Sequence, residues 1–181
     1  AKFHICPATQ PSDLDSILES LGYVIITPTD VQIASVAAVL ERSASHYEVN
    51  LFENFSETWF KAFCELSEQT NARAINARRG IFQHIAPRAG YALLKIDDQN
   101  AAVGLGVVER GWIGLFGIDT GVAFRKRGAA TAIIGALMKW GQTFGAVQTY
   151  LQVVPQNTAA MTLYAKLGFK KLYQYHYRGI T

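Results

Sequence analysis

Hydrophobic positions in the first 85 residues recur mainly at helical spacing. Three such patterns predict helices over residues 13–21, 56–69 and 73–85. Residues 23–26 have strand character, and Pro28-Thr29-Asp30 predicts a turn after them. The apolar stretch 31–40 fits either state, because its alanines favour a helix and its valines favour a strand.

The rest of the chain reads as a meander followed by alternating helices and strands. Strands are predicted over residues 91–96, 101–108, 112–120, 147–154 and 169–177, and helices over 125–144 and 157–167. Arg110-Gly111 predicts a tight turn, and Gly114 and Gly117 inside a strand predict a bulge or a close backbone approach. This order predicts an α/β (mixed α+β) class: a mixed sheet with helices on both faces.

Composition narrows the class of protein. The chain has 181 residues, 50% of them hydrophobic and 17% charged, and this length predicts one domain, or one domain plus a fragment. Its 21 aromatic side chains argue against disorder, and no apolar run is long enough for a membrane span. No basic segment followed by an apolar block opens the sequence, so we expect no signal peptide. Two cysteines cannot make a disulfide framework, so we expect a cytoplasmic protein.

Charge is divided unevenly along the chain. Residues 1–70 contain three basic and ten acidic residues, a balance of −7, whereas residues 71–181 contain fourteen basic and four acidic residues, a balance of +10. The basic half is therefore expected to meet an anion: nucleic acid, a membrane surface or a phosphorylated cofactor. The basic residues are scattered and no aromatic stripe accompanies them, so neither nucleic acid nor a membrane is the expected partner.

One short segment combines basic residues with a glycine at a predicted helix start. In Arg125-x-x-Gly128-x-Ala130, unpaired helix amides and small side chains would let a phosphate approach closely. The plainer interpretation is a basic helix start, which the helix dipole disfavours unless an anion is present.

A second pattern follows the strand at 147–154. Asn157 is placed to cap a helix, and Tyr164 shares a face with Asn157 and Ala160. Alone, this pair would be read as a cap and a half-buried core aromatic residue.

Taken together and in this order, Arg125-x-x-Gly128-x-Ala130 and Asn157-x-x-Ala160-x-x-x-Tyr164-x-x-x-Gly168-Phe169 resemble the Gcn5-related N-acetyltransferase (GNAT) family over about residues 47–181. The resemblance is to bacterial two-repeat members in particular. It implies an acyl-CoA N-acyltransferase fold with a mostly antiparallel sheet, and acetyl transfer from acetyl-CoA to a primary amine in a ternary complex. It implies neither a metal nor a covalent enzyme intermediate.

The resemblance also implies residue roles. The implied cofactor-binding residues are Ile118, Asp119, Thr120, Arg125, Lys126, Arg127, Gly128, Ala129, Ala130 and Asn157. The amides of residues 127–130 would hold the pyrophosphate, residues 118–120 would offer backbone groups to the pantetheine arm, and Tyr164 would protonate the departing thiolate as general acid. Glu109 is the first candidate for the general base, although its plainer interpretation is an exposed turn carboxylate. His84 and a water relay are the alternatives.

The acceptor stays open between a small amine, an amino-acid α-amine and a protein N-terminus. The alternative function is a non-catalytic CoA-binding or regulatory module, since a fold does not guarantee activity.

The two ends of the chain resemble each other. Residues 3–23 and 151–169 both read strand, proline, helix, Leu-Gly-aromatic, and Leu18 stands where the second copy has Tyr164. Chance is the alternative, since such units are common. We expect residues 1–40 to be the remnant of a degenerate N-terminal repeat (strand–helix–hairpin) and 41–181 to be the catalytic domain. The sheet edges of such a remnant argue for a homodimer.

Overall fold

The computed structural model describes residues 1–180, which form eight strands, six α-helices and one 3₁₀-helix. In chain order these are β1 (Lys2–Ile5), α1 (Leu14–Ser20), β2 (Val24–Ser35), α2 (Val36–Arg42), β3 (Asn50–Phe52), α3 (Glu57–Leu66), α4 (Ala72–Gln83), β4 (Arg88–Ile96), β5 (Gln99–Glu109), β6 (Trp112–Thr120), the 3₁₀-helix (Val122–Phe124), α5 (Ala129–Thr143), β7 (Gln148–Val153), α6 (Thr158–Lys166) and β8 (Lys170–Gly179). They divide into two compact units: a central unit (residues 34–150) and a terminal unit (residues 1–33 with the segment from Leu151).

The central unit contains an antiparallel meander. Strand β4 pairs with β3 and β5, and β5 pairs with β6, all antiparallel. Arg110 and Gly111 join β5 to β6 with φ of 50° and 80°, the left-handed pair that a two-residue hairpin turn needs. This turn sets Glu109 opposite Trp112. The turn predicted from the sequence is confirmed.

Helices cover both faces of this meander. Val103 and Leu105 of β5 pack in a cluster with Trp59 of α3, whose indole Nε1 donates to the Gly104 carbonyl at 3.2 Å. Gly104 lies between them and faces the other side, where a Cβ would come within 2.5 Å of Ile133 in α5. The alternation of large and absent side chains along β5 therefore separates the α3 face from the α5 face. The predicted mixed α/β class with largely antiparallel pairing is confirmed.

Strand β6 is irregular at the glycine that the sequence singled out. Two residues of β6, Gly117 and Ile118, stand opposite the single residue Gly104 of β5, because the register shifts between Val103 and Leu105. Gly117 has a φ of 53°, which glycine adopts at little cost. The bulge predicted for this strand is confirmed at Gly117, and it separates the regular start of β6 from its last residues.

The terminal unit has its own antiparallel strands. Strand β8 pairs with β1 on one side and with β2 on the other, so Tyr177 stands opposite both His4 and Ile26. Arg178 of β8 is buried at 4% exposure, and its Nε donates to Asp15 Oδ1 at 2.7 Å. An ion pair between this buried arginine and a partly exposed aspartate thus ties β8 to the start of α1.

Three local predictions need correction. The turn predicted at residues 28–30 lies inside β2, where a φ of 50° at Thr27 and a register shift bend the strand without ending it. The ambiguous stretch 31–40 contains both a strand and a helix. Strand β2 continues to Ser35, and Ser35 then caps α2, since its Oγ accepts from Ala38 N at 3.2 Å. Helix α5 begins at Ala129 and not at residue 125, because Lys126 and Gly128 have positive φ.

Candidate functional site

The Gly128 loop (residues 121–128) connects the bulged strand β6 to α5. Gly128 has a φ of 83° and no side chain, and a Cβ there would meet nothing within 4 Å. The first α5 hydrogen bond of the ladder runs from Ala132 N to Gly128 O at 3.0 Å. The amides of residues 129–131 precede that bond and have no acceptor within the helix. They are therefore available to an anion at the open helix start.

The basic side chains of this loop reach solvent. Arg125, Lys126 and Arg127 are exposed, and no acidic residue occupies the first turn of α5. Within residues 1–180 none of the three takes part in an ion pair. Arg125 Nε donates to the Thr120 carbonyl at 3.4 Å, and the Arg127 guanidinium lies 5.5 Å from the centroid of Phe124. The loop thus joins three basic side chains that form no ion pair to the positive end of a helix dipole.

The last residues of β6 are half-buried. Asp119 stands opposite Val103 and Thr120 opposite Ala102 in the β5 register. Burial raises the pKa of the Asp119 carboxyl, and the nearby guanidinium groups of Arg78 and Arg125 act against that increase. The family resemblance implied only backbone contacts for Asp119, and the structure adds a half-buried carboxyl near two arginines.

A cleft of about 360 Å³ lies beside the Gly128 loop, within the central unit. Thr120 and Arg125 line one part of it, and Glu65 and Asn100 line another. Asn100 Nδ2 donates to Glu65 Oε2 at 2.7 Å, which holds that carboxylate at the cleft. The volume lies at the lower end of the range for ligand pockets.

The two residues of the second motif lie on α6 in the terminal unit. Asn157 caps this helix, since its Oδ1 accepts from Ala160 N at 3.1 Å, which confirms the predicted cap. Tyr164 is buried at 8% exposure, and its ring meets Phe169 edge to face with centroids 5.7 Å apart. The tyrosine is thus more enclosed than the half-buried residue that its spacing suggested.

Glu109 ends β5 with its side chain 60% exposed, and the Arg110 Nε lies 3.5 Å from its Oε1. Its alternative, His84, sits at the C-terminal end of α4, where its Nδ1 is 2.7 Å from the Gly80 carbonyl. That contact gives His84 a structural role as the C-terminal cap of α4. Glu109, in contrast, lines a concave surface.

The sequence reading missed the aromatic residues beside Glu109. In the β5–β6 register Glu109 faces Trp112 and Leu105 faces Phe116, so all four share one side of the meander. The ring of Tyr150 from β7 lies 6.4 Å from Trp112 and 6.0 Å from Phe116. The even spacing of residues 112 and 116 in a predicted strand indicates that they share one side of the sheet. No sequence pattern indicates that Tyr150 joins them.

Comparison with known proteins places these features in a family. Residues 27–178 match the family model described as "Probable histone acetyltransferase Rv0428c C-terminal". A curated relative, the uncharacterized N-acetyltransferase YobR of Bacillus subtilis (strain 168), is 29% identical over 180 residues, covering 97% of this chain and 71% of that protein.

Solved structures agree on the fold. A tandem GNAT protein from the clavulanic acid biosynthesis pathway superimposes with a TM-score of 0.78 at 12% identity, covering 99% of this chain and 64% of that one. A GCN5-related N-acetyltransferase from Kribbella flavida gives a TM-score of 0.69 at 18% identity, covering 98% and 67%. The aminoglycoside acetyltransferase AAC(6')-Iy, in complex with a bisubstrate analogue, gives 0.56 at 19% identity, covering 70% and 92%.

The fold and the motifs define an acetyltransferase of the GNAT class. Within that class, the chain belongs to the family of the Rv0428c C-terminal domain.

Among residues 1–180, none of the helices combines the length and the hydrophobicity that a membrane span requires. No group of three or more His, Cys, Asp and Glu side chains in the same residues is arranged to hold a metal ion.

Proposed function

We propose that this protein transfers the acetyl group of acetyl-CoA to a primary amine by direct attack within a ternary complex. The Gly128 loop carries the proposal. It presents free helix amides, a left-handed glycine that leaves the approach open and three basic side chains that form no ion pair among residues 1–180. This combination suits the pyrophosphate of a CoA thioester, because amides and dipole bind the anion and the basic side chains supply charge.

The proposed cofactor contacts extend along the chain on either side of that loop. The bulge at Gly117 shifts the register of β6 against β5 just before residues 118–120, which suits these residues for backbone contacts to the pantetheine arm. The basic residues Arg125, Lys126 and Arg127 and the small residues 128–130 form the pyrophosphate part. Asn157 is assigned to the cofactor by the family motif.

The chemistry requires a positioned thioester, a neutral amine and a proton for the leaving thiolate. The amine nitrogen attacks the thioester carbonyl carbon, the C–N bond forms and the C–S bond breaks. We assign the proton delivered to the CoA thiolate to the Tyr164 hydroxyl, which a tyrosine of ordinary pKa about 10 carries at neutral pH. The proton lost by the amine passes to Glu109 or to water beside it.

The acceptor we propose is a small molecule with a primary amine. AAC(6')-Iy, whose fold this chain shares, is an aminoglycoside N-acetyltransferase, and its complexes contain CoA and a bisubstrate analogue. The matching family is described as a probable histone acetyltransferase, which makes a peptide amine the competing acceptor. The small, concave surface beside Glu109 favours the small amine.

Titration with acetyl-CoA by calorimetry tests the proposal. Binding in the micromolar range, weakened when Arg125 and Lys126 are both changed to Gln, is the expected result. An Arg73→Gln change in α4 is the matched control, because it removes a basic residue outside the loop. Absence of binding at high micromolar acetyl-CoA would overturn the proposal.

A thiol-release assay against small amines and peptide amines then separates the acceptors. Binding of acetyl-CoA without thiol release for any amine would favour the alternative, a non-catalytic CoA-binding module.

A further inference from the structure

Three aromatic side chains, two of them exposed, form a cluster on the α3 side of the meander. Trp112 and Phe116 of β6 are 37% and 36% exposed, although both are large and apolar. The residues that alternate with them, Ile113 and Leu115, are buried on the other side at 0% and 4% exposure. The core on the α5 face is therefore complete without the two aromatic residues, and their exposure is not explained by packing.

Tyr150 completes the cluster. Its ring contacts Trp112 at 62° and Phe116 at 87°, both edge-to-face arrangements. Gly114, between the two aromatic residues of β6, provides the space: a Cβ at that position would lie 2.7 Å from the Tyr150 hydroxyl oxygen. The three rings are thus assembled around a glycine that leaves room for the middle one.

A carboxylate stands at the end of this cluster. Glu109, Trp112 and Tyr150 line a depression of about 220 Å³ with Val107 and Arg110. Burial raises the pKa of the Tyr150 phenol, and the negative charge of Glu109 raises it further. The phenol is therefore kept neutral and can accept or donate a hydrogen bond.

The residues that line this depression favour a positively charged ligand. Aromatic ring faces attract ammonium groups within about 6 Å of the centroid, and a carboxylate adds direct Coulomb attraction. Arg110 already pairs with Glu109, since its Nε lies 3.5 Å from the carboxylate oxygen Oε1. The Arg110 side chain is 89% exposed, and such exposed ion pairs contribute little stability, so a bound ammonium ion can replace Arg110. Among residues 1–180, the arginines that stack on rings lie over Phe60, Phe63, Phe124 and Phe144, and none lies over these three rings.

We infer that Trp112, Tyr150 and Glu109, with Phe116 packed against the Tyr150 ring, form an ammonium site, which binds the charged amino group of the acceptor as a primary alkylammonium ion before the amine loses its proton. This inference rests on the proposed acetyltransferase function and names the acceptor site within it. The depression is smaller than the roughly 300–1,000 Å³ of pockets for drug-sized ligands, so it takes the amino-bearing end of the acceptor and leaves the rest outside.

Butylammonium is the probe, and 1-butanol is its neutral counterpart. Both are titrated into the full chain without acetyl-CoA, and binding is followed by NMR at the indole N–H of Trp112. The protein has three tryptophans, so comparison with the Trp112→Phe spectrum assigns that signal. We expect butylammonium to shift the Trp112 signal in a saturable way and 1-butanol to shift it at least fivefold less at equal concentration.

Charge variants make the test specific. Glu109→Gln should weaken butylammonium binding about threefold to tenfold, and Arg110→Gln should strengthen it about twofold by removing the competing cation. Glu41→Gln is the matched control, because Glu41 forms the same kind of exposed pair with its neighbour Arg42, at 3.3 Å. That variant should leave binding unchanged. Since Glu109 and Arg110 are exposed, their variants keep the test valid if a Trp112→Ala protein fails to fold.

The possible outcomes separate this inference from the proposed function. Equal responses to butylammonium and 1-butanol, or equal effects of Glu109→Gln and Glu41→Gln, would overturn the ammonium site. Because the titration contains no acetyl-CoA, a protein that binds butylammonium but not acetyl-CoA would retain the site and refute the acetyltransferase.

Discussion

The phenol of Tyr150 lies directly above the backbone of Gly114, so that a Cβ on this glycine would be 2.6 Å from Tyr150 Cζ. Real Cβ contacts do not come that close, and the end of the tyrosine ring is the part that can move. The absence of a side chain at Gly114 therefore fixes the position of the Tyr150 ring in the ammonium site.

Gly114→Ala is expected to displace Tyr150 and weaken the amine site while the protein stays folded. The KM for a primary amine should rise about two- to thirtyfold, the range of a lost cation–π contact of roughly 0.5–2 kcal/mol. Steady-state kinetics at saturating acetyl-CoA measure this. Tyr150→Phe, which keeps the ring and removes only the hydroxyl, should change KM much less. An unchanged KM in Gly114→Ala would contradict the role of the ring.

Gly128→Ala should lower both stability and acetyl-CoA affinity. No atom blocks the new methyl group, so the effect comes from a φ of 83°, which costs an L-residue about 1–2 kcal/mol. Relaxation of that strain would move the first amides of α5. Urea unfolding and calorimetric titration check the two effects. If stability falls and acetyl-CoA affinity does not, the amides near Gly128 do not hold the pyrophosphate.

Gly80→Ala is expected to raise stability, the opposite of the effect of Gly128→Ala. Gly80 lies inside α4 with ordinary φ, and a Cβ there meets nothing within 4 Å. Replacing a glycine in a helix interior should raise the free energy of unfolding by about 0.5–1 kcal/mol. Urea denaturation measures this, with no change expected in acetyl-CoA affinity. A destabilised Gly80→Ala would mean that α4 requires the glycine for a reason outside its own helix.

Local signals explain what the sequence could predict. The predicted bounds of strand β6 match the observed ones, and Gly117 correctly predicted its bulge. Both could be predicted because turns and bulges are determined by residues close together in the sequence. The basic helix start was recognised, but α5 was predicted four residues too early. The left-handed conformation of Lys126 and Gly128 depends on the loop as a whole and not on helical propensity.

Long-range contacts explain what the sequence could not predict. Tyr150 reaches Gly114 and Trp112 only once the chain is folded, so the ammonium site carries no sequence motif. Asp15 and Arg178 pair across 163 positions of the chain, and no spacing rule connects them.

Tyr164→Phe tests the assignment of the general acid. The ring and its edge-to-face contact with Phe169 are retained, so the fold and the acetyl-CoA dissociation constant should change little. Loss of the proton donor should lower kcat by about 10²–10⁴-fold. Stopped-flow thiol release and calorimetry measure the two quantities. A variant with wild-type kcat would exclude Tyr164 as the acid, whereas equal losses in kcat and binding would indicate a structural role.

Stability below pH 4 should depend on one carboxylate in the terminal unit. Hydrogen bonds from Arg178 and His176 lower the pKa of Asp15 from 3.8 to about 2. A carboxyl whose pKa is lower in the folded state contributes stability above its unfolded pKa, and this contribution is lost as the pH falls towards 2. Urea unfolding should therefore show a free energy that decreases between about pH 4 and pH 2.

Asp15→Asn should remove part of that pH dependence and lower stability at pH 6, because it leaves the buried guanidinium of Arg178 without its carboxylate. Asp13→Asn is the matched control: Asp13 is an exposed carboxylate two positions away that makes no side-chain capping bond. We expect it to change neither the slope nor the stability at pH 6 appreciably. Parallel pH profiles for Asp15→Asn and the unmodified protein would show that the Asp15–Arg178 pair is not what links stability to acid.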